Sequence, residues 1–400
     1  MRAGIKLSLN TLLLATLLSP LTTIATETHN TLQSYGAAPT TRGQLVNNAE
    51  PNLMQFAAKL HQGNQQVHIV QIGDSHTAAD FFTGELRHLF QQHYGDAGPG
   101  FVPPIAIPGQ RTATLNRLSD KSDWLLSSSR KDKRANYPLG GLIAQPKSDK
   151  SRILLKPLHT SQKGYYLQAL YQSTTGSLMQ VSSSSRQSLA LPATGNRWQL
   201  SPPVSTQLPS TISVDSAHHL NLGGWVIRSN KPGVMLSAIG LNGATLNMLD
   251  KWQSQWSATL AQMSPDMVIL AFGTNEAFND TLDLAAYAQN LQDKIQQIRK
   301  QSAHAVIMLV GPSDSIKFNH ATSCRAQMPV NLMNVIQIQK HIAAQEHALF
   351  WDWQANMGGP CAIRNWQSHG LASADNVHLS ANGYKKSAQA LYRQLSQMLN

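Results

Sequence analysis

The chain has 400 residues, 42% of them apolar, which is ordinary for a folded globular protein and excludes wholesale disorder. Only 13% are charged, yet Lys and Arg outnumber Asp and Glu by 32 to 21, a net charge of +11 that favours an anionic surface or polymer as partner. No dense Lys/Arg stripe or platform of stacking aromatics accompanies that charge, which argues against nucleic acid. At the amino end, Arg2 and Lys6 precede a leucine-rich run over 7–18, then Pro20 and small residues up to Ala25. That is the layout of a secretory signal peptide over residues 1–25, and the run falls short of the roughly 20 apolar residues a bilayer span needs.

Residues 26 to about 50, rich in Thr, Gln and Asn, read as a flexible lead-in. Apolar spacing predicts a helix over 53–60 that ends near Gly63, a strand over Val67–Ile72, and a helix from Asp80 to Tyr94. The Gly/Pro cluster at 95–100 stops that helix. From about Thr112 to Lys231 the chain is loaded with Ser, Thr, Gln, Gly and Pro, and short alternating segments at 152–156, 164–170, 177–181 and 222–228 predict an antiparallel β-sandwich or jelly roll. Strand and helix patterns then alternate: strands over 234–239, 267–272, 305–310 and 348–351, helices over 245–263, 282–299, 331–346 and 380–399. That alternation predicts an α/β domain with a parallel sheet covered by helices on both faces. The expected organisation is therefore one α/β domain in two pieces, 26–111 and 232–400, around an inserted β module at 112–231.

Chemistry concentrates where predicted strands end, the rim at which open α/β sheets bind ligands. Gly73-Asp74-Ser75-His76 follows the first strand; on its own this serine reads more readily as a turn or helix-cap residue. Asp375 and His378, three residues apart near the carboxyl end, could supply a base for the Ser75 hydroxyl and a carboxylate to orient it, although the pair alone reads more readily as a loop aspartate capping the next helix. Gly240-Leu241-Asn242-Gly243 follows the 234–239 strand, and Gly273-Thr274-Asn275 follows the 267–272 strand. A backbone N–H in the first and the Asn275 amide in the second could face one oxyanion; each is equally a plain turn. His76 is either a contact behind the site or a polar residue opening the next turn. Tyr165, Tyr166 and Trp225 could stack on sugar, although aromatics in a sandwich are more often core. The remaining histidines, His218 and His219 included, lack ligand spacing, so no metal and no cofactor are expected. Cys324 and Cys361, the only cysteines, are expected to form a disulfide in an oxidising compartment, contributing about 2–4 kcal/mol.

Gly73-Asp74-Ser75, the Gly243-Ala244-Thr245 turn, Gly273-Thr274-Asn275 and Asp375-x-x-His378 together resemble the four blocks of the SGNH (GDSL-like) hydrolase superfamily. That resemblance implies a flavodoxin-like three-layer domain with Ser75 as nucleophile, His378 as base and Asp375 as its orienter. The implied oxyanion donors are the N–H of Ser75, a turn N–H from Gly243 (Gly240 being the alternative) and the Asn275 side chain. Where the superfamily block continues with leucine, this chain has His76 and Thr77. With Gly98-Pro99-Gly100-Phe101-Val102 and the β insertion, that departure is similar to the Ape-type peptidoglycan O-acetylesterases. In those, the insertion resembles a carbohydrate-binding module, and acetyl is removed from the C6 hydroxyl of N-acetylmuramic acid. The resemblance implies a periplasmic esterase whose partner is peptidoglycan glycan. Alternatives using the same triad are an O-acetyltransferase and, third, a lipase or thioesterase; a non-catalytic wall-binding protein is a reading of another class.

Overall fold

The computed structural model describes residues 43–133, 136–159, 164–216 and 219–400. The signal-peptide reading over 1–25, the lead-in up to residue 42 and His218 lie outside the described residues.

Six strands form the sheet that carries the predicted site: β1 (Leu45–Asn47), β2 (Gln66–Gly73), β3 (Gly233–Gly240), β4 (Met267–Ala271), β5 (Val306–Val310) and β6 (Leu349–Trp351). Their order across the sheet is β1-β6-β5-β4-β2-β3. The five strands β2 to β6 run parallel, in the flavodoxin-like order 2-1-3-4-5 when counted among themselves. β1 pairs antiparallel with β6 at the far edge. Two expectations are corrected there: residues 45–47 are strand and not flexible lead-in, and the sheet is not wholly parallel. The short apolar pair Leu45-Val46 carried no period that composition could distinguish from a loop.

Helices cover both faces. On one face α1 (Leu53–Gln62), α3 (Phe82–Tyr94) and α8 (Ala381–Leu399) enclose a core with Ile69, Leu236, Ile269 and Met308. On the other lie α4 (Trp256–Gln262), α6 (Leu284–Gln301) and α7 (Leu332–Gln345), over buried Val70, Ile72, Val268 and Leu270. Burial on both faces is why these strands read as continuous apolar runs. Two one-turn helices, α2 (Ser75–Ala78) and α5 (Thr274–Ala277), begin where β2 and β4 end. The helix expected over 245–263 is broken into a 3₁₀ stretch, Leu246–Lys251, and α4. The Lys251 carbonyl accepts from the Tyr137 N–H, and the Gln253 N–H donates to the Tyr137 carbonyl. Those tertiary bonds take the backbone groups that a continuous helix would need.

Between β2 and β3 the chain builds an antiparallel sandwich. One sheet holds 186–191, 177–182, 210–216, 152–157 and 115–118 in that order. The other holds 199–200, 165–173, 220–229, 142–146 and 124–128, with 204–206 and 100–102 paired onto its flanks. Its core packs Trp225, Tyr171, Ile153 and Val181. Tyr165 and Trp225 are buried, so of the three aromatics considered for sugar stacking only Tyr166 is exposed. His219 is exposed, as expected.

Candidate active site

The serine turn is shaped by the meeting of two strand ends. A Cβ on Gly73 would fall 2.4 Å from the Ala271 carbonyl, so only glycine lets β2 finish against β4. Asp74 then accepts from the His76 N–H at 2.9 Å, capping α2 and directing Ser75 onto the rim. This is the switch point of the strand order, where β2 and β4 neighbour each other but their connections leave to opposite sides.

Ser75, His378 and Asp375 form one hydrogen-bonded chain. Ser75 Oγ lies 2.9 Å from His378 Nε2, and His378 Nδ1 lies 2.7 Å from Asp375 Oδ2. The Asp375 Oδ1 atom accepts from the backbone N–H groups of Val377 and His378, each at 3.0 Å. Asn376 holds the left-handed backbone (φ 54°) that brings Asp375 and His378 back together, a conformation asparagine tolerates. Burial alone would raise the Asp375 carboxyl, but the bonds from the His378 ring and the two N–H groups outweigh it and hold it below the usual carboxylate range. The Asp375 and His378 side chains remain about half exposed, so the pair stands at an open rim that water reaches.

Asn275 lies on α5, and its Nδ2 donates to the Ala244 carbonyl at 2.8 Å, leaving one amide hydrogen for another acceptor. Glu276 ties the same two turns together, accepting from the N–H groups of Leu246 at 2.6 Å and Gly273 at 3.1 Å. Burial pushes Glu276 up to about 7 and Asp74 to about 6. The two turn glycines differ. A Cβ on Gly240 would meet the Ala78 backbone nitrogen at 2.2 Å, so Gly240 is there for close packing on α2. Gly243 has φ 69°, and its N–H has no hydrogen-bond partner among the described residues.

His76 is buried, with Nδ1 2.8 Å from the Tyr384 hydroxyl and its ring edge-on to Trp353. The ring centroid lies 5.2 Å from that of His378. Burial lowers it to about 3, so it is neutral and backs the His378 ring without adding charge. The sequence had left Glu276, Trp353 and Tyr384 unassigned. Glu276 had a local signal, a carboxylate three residues after the Gly273 cap. Trp353 and Tyr384 had none, since each reads as core.

The SGNH blocks therefore meet on one rim. The model for the N-terminal part of peptidoglycan O-acetylesterases matches residues 97–211, and that of the GDSL-like lipase/acylhydrolase family matches 219–386. A solved structure described as a peptidoglycan O-acetylesterase in action superposes with a TM-score of 0.81 at 32% identity, covering 89% of this chain and 99% of that one. A lipase/acylhydrolase from Enterococcus faecalis is 18% identical, with 42% of this chain and 77% of that one covered and a TM-score of 0.32. An acetyl xylan esterase is 18% identical, covering 40% and 80%, with a TM-score of 0.33. No curated protein sequence matches the chain. The two family models, side by side along the chain, and a superposition that takes in nearly all of a solved member show that this chain belongs to the peptidoglycan O-acetylesterase family, within the SGNH hydrolases.

Proposed function

We propose that the protein removes O-acetyl groups from the C6 hydroxyl of N-acetylmuramic acid in peptidoglycan, through an acetyl-Ser75 intermediate. The observation that carries this reading is the unbroken chain from Ser75 Oγ through the His378 ring to Asp375. As Ser75 Oγ attacks the acetyl carbon, its proton passes to His378 Nε2, and Asp375 offsets the charge on the ring. The carbonyl oxygen becomes an oxyanion facing the N–H of Ser75, the N–H of Gly243 and the free amide hydrogen of Asn275. Collapse breaks the bond to the C6 oxygen, which leaves with the proton from His378. Water then enters by the same route, regenerating Ser75 and releasing acetate.

The division into a hydrolase domain, 26–111 with 232–400, and a carbohydrate-binding-like insertion, 112–231, belongs to the same proposal, as does periplasmic action after removal of residues 1–25. A disulfide between Cys324 and Cys361 suits that compartment, and no helix among the described residues is long and apolar enough to cross a membrane. The test is acetate release from O-acetylated peptidoglycan and from a soluble aryl acetate. Ser75→Ala is expected to lower kcat on both by about 10⁴-fold or more with the fold intact. Undiminished release would overturn the assignment.

A further inference from the structure

The turn that carries Gly243 is gripped from two sides by parts of the chain that lie before β3. On one side the Asn242 side chain donates to the Gly109 carbonyl at 2.8 Å, and Gln110 donates to the Gly240 carbonyl at 3.0 Å. On the other side comes the loop after the 124–128 strand, whose Arg130 guanidinium lies over the Gly243 α-carbon. A Cβ there would fall 2.9 Å from Arg130 Cζ. Lys251, just past the turn, pins this loop by donating to the carbonyls of Ser129 at 2.8 Å and Asp132 at 3.0 Å. The loop is thus held in place relative to the oxyanion turn and is not a free arm.

Between these two walls opens a cleft of about 620 Å³. Its apolar side is formed by Ile107, Leu126 and Leu241, and its rim by Arg130, Lys131 and Lys133. All three cations are exposed, and none has an ion-pair partner among the described residues. The stretch holds one carboxylate, Asp132, against them. A neutral glycan has nothing for such a rim to recognise. Peptidoglycan, the substrate read above, carries carboxylates on peptide stems borne by the same sugar that holds the acetyl group.

We propose that this cleft is the subsite for the peptide stem, and that Arg130, with Lys131 and Lys133, binds stem carboxylates and so positions the neighbouring acetyl ester on Ser75. Arg130 is a positioning residue in this scheme, and the inference rests on the substrate assignment already made. Its planar guanidinium can hold a carboxylate with two parallel hydrogen bonds, whereas the lysines act as point charges. The inserted module then contributes specificity directly at the active-site rim.

The test compares three substrates: O-acetylated peptidoglycan fragments with intact stems, the same fragments trimmed of stems by an amidase, and a neutral aryl acetate. The wild type is expected to turn over stem-bearing fragments better than trimmed ones, which keep only the lactyl carboxylate. Replacing Arg130, Lys131 and Lys133 together by alanine should lower the ratio of kcat/KM on stem-bearing fragments to that on aryl acetate by about fivefold or more, mainly through KM. Arg130→Lys should keep more of that ratio than Arg130→Ala. Equal use of intact and trimmed fragments by the wild type, an unchanged ratio in the triple variant, or a parallel fall on all three substrates would each overturn the subsite. Wild-type cleavage of aryl acetate alone, with no acetate from either polymer, would overturn the substrate assignment itself and the subsite with it.

Discussion

Both oxygens of Asp375 are occupied, one by the His378 ring and one by two backbone N–H groups, and this fixes which imidazole nitrogen carries the proton. With Nδ1 bonded to a carboxylate, Nε2 is left bare to receive the Ser75 proton. Asp375→Asn would present an amide hydrogen to Nδ1 and favour the opposite tautomer. We expect kcat to fall by about 10²–10⁴-fold with KM little changed, measured on aryl acetate. A fall confined to KM would mean that Asp375 acts on binding. At this scale the three proposed triad residues were legible as candidates, because Gly-Asp-Ser and Asp-x-x-His are local spacings, and it is the fold that brings them within hydrogen-bond reach. His76 was not. Its burial is decided by Tyr384 and Trp353, which approach from α8 and from beyond β6. Gly243 was preferred to Gly240 on the resemblance of its turn alone, and the physical difference between them lies in the Ala78 backbone, which fills the space beside Gly240.

Among the elements, the segment that delivers Asp375 and His378 is the one most dependent on a covalent tie. Cys324 and Cys361 are bonded across a separation of 37 residues, linking the stretch before α7 to the short helix Ala362–Ser368 that leads to the loop carrying Asp375 and His378. Closing a loop of that length in the unfolded chain contributes about 4 kcal/mol. Reduction, or the Cys324→Ala/Cys361→Ala pair, should therefore lower the denaturant midpoint while leaving kcat in the folded fraction nearly unchanged. An unshifted midpoint would show that unfolding does not involve this loop. The parallel strands were readable because burial on both faces writes a continuous apolar run. The 245–263 segment misled for the converse reason: its apolar spacing is helical, but Tyr137 claims its backbone at 251–253. Many sandwich strands are too short, or too evenly mixed in polarity, to announce themselves, so the module was legible as a class and not strand by strand.

For the molecule as a whole, the four fully buried groups His68, His76, Asp74 and Glu276 carry the largest shifts that bear on the response to acid. His68 and His76 have folded values of about 3 against 6.5, so the stability they contribute is present above 6.5 and is lost as pH falls towards 3. Asp74 and Glu276 act in the other sense. Their folded values, about 6 and about 7, lie above 3.8 and 4.5, so the cost of burying them ionised applies at neutral pH and is relieved as pH falls through those folded values. Two losses and two gains nearly cancel between about pH 6.5 and 4.5. Below about pH 4 the relief from Asp74 and Glu276 is complete, the two histidines withdraw roughly 2–3 kcal/mol per pH unit, and Asp375, held below the usual carboxylate range, adds to the loss. Calorimetry at pH 7, 5 and 3.5 checks this, and a steep loss already between pH 7 and 5 would contradict it.

The position of β2 has a consequence for how the enzyme comes into being. This strand, which ends at the proposed nucleophile Ser75, is flanked by β3 and β4, and both are made only after the whole sandwich has been translated. Until then the nascent chain holds an apolar segment with two unpaired edges, the arrangement that makes growing chains prone to aggregation. The same wait is protective, since a truncated or half-synthesised copy has no assembled rim and cannot cleave esters before it is complete.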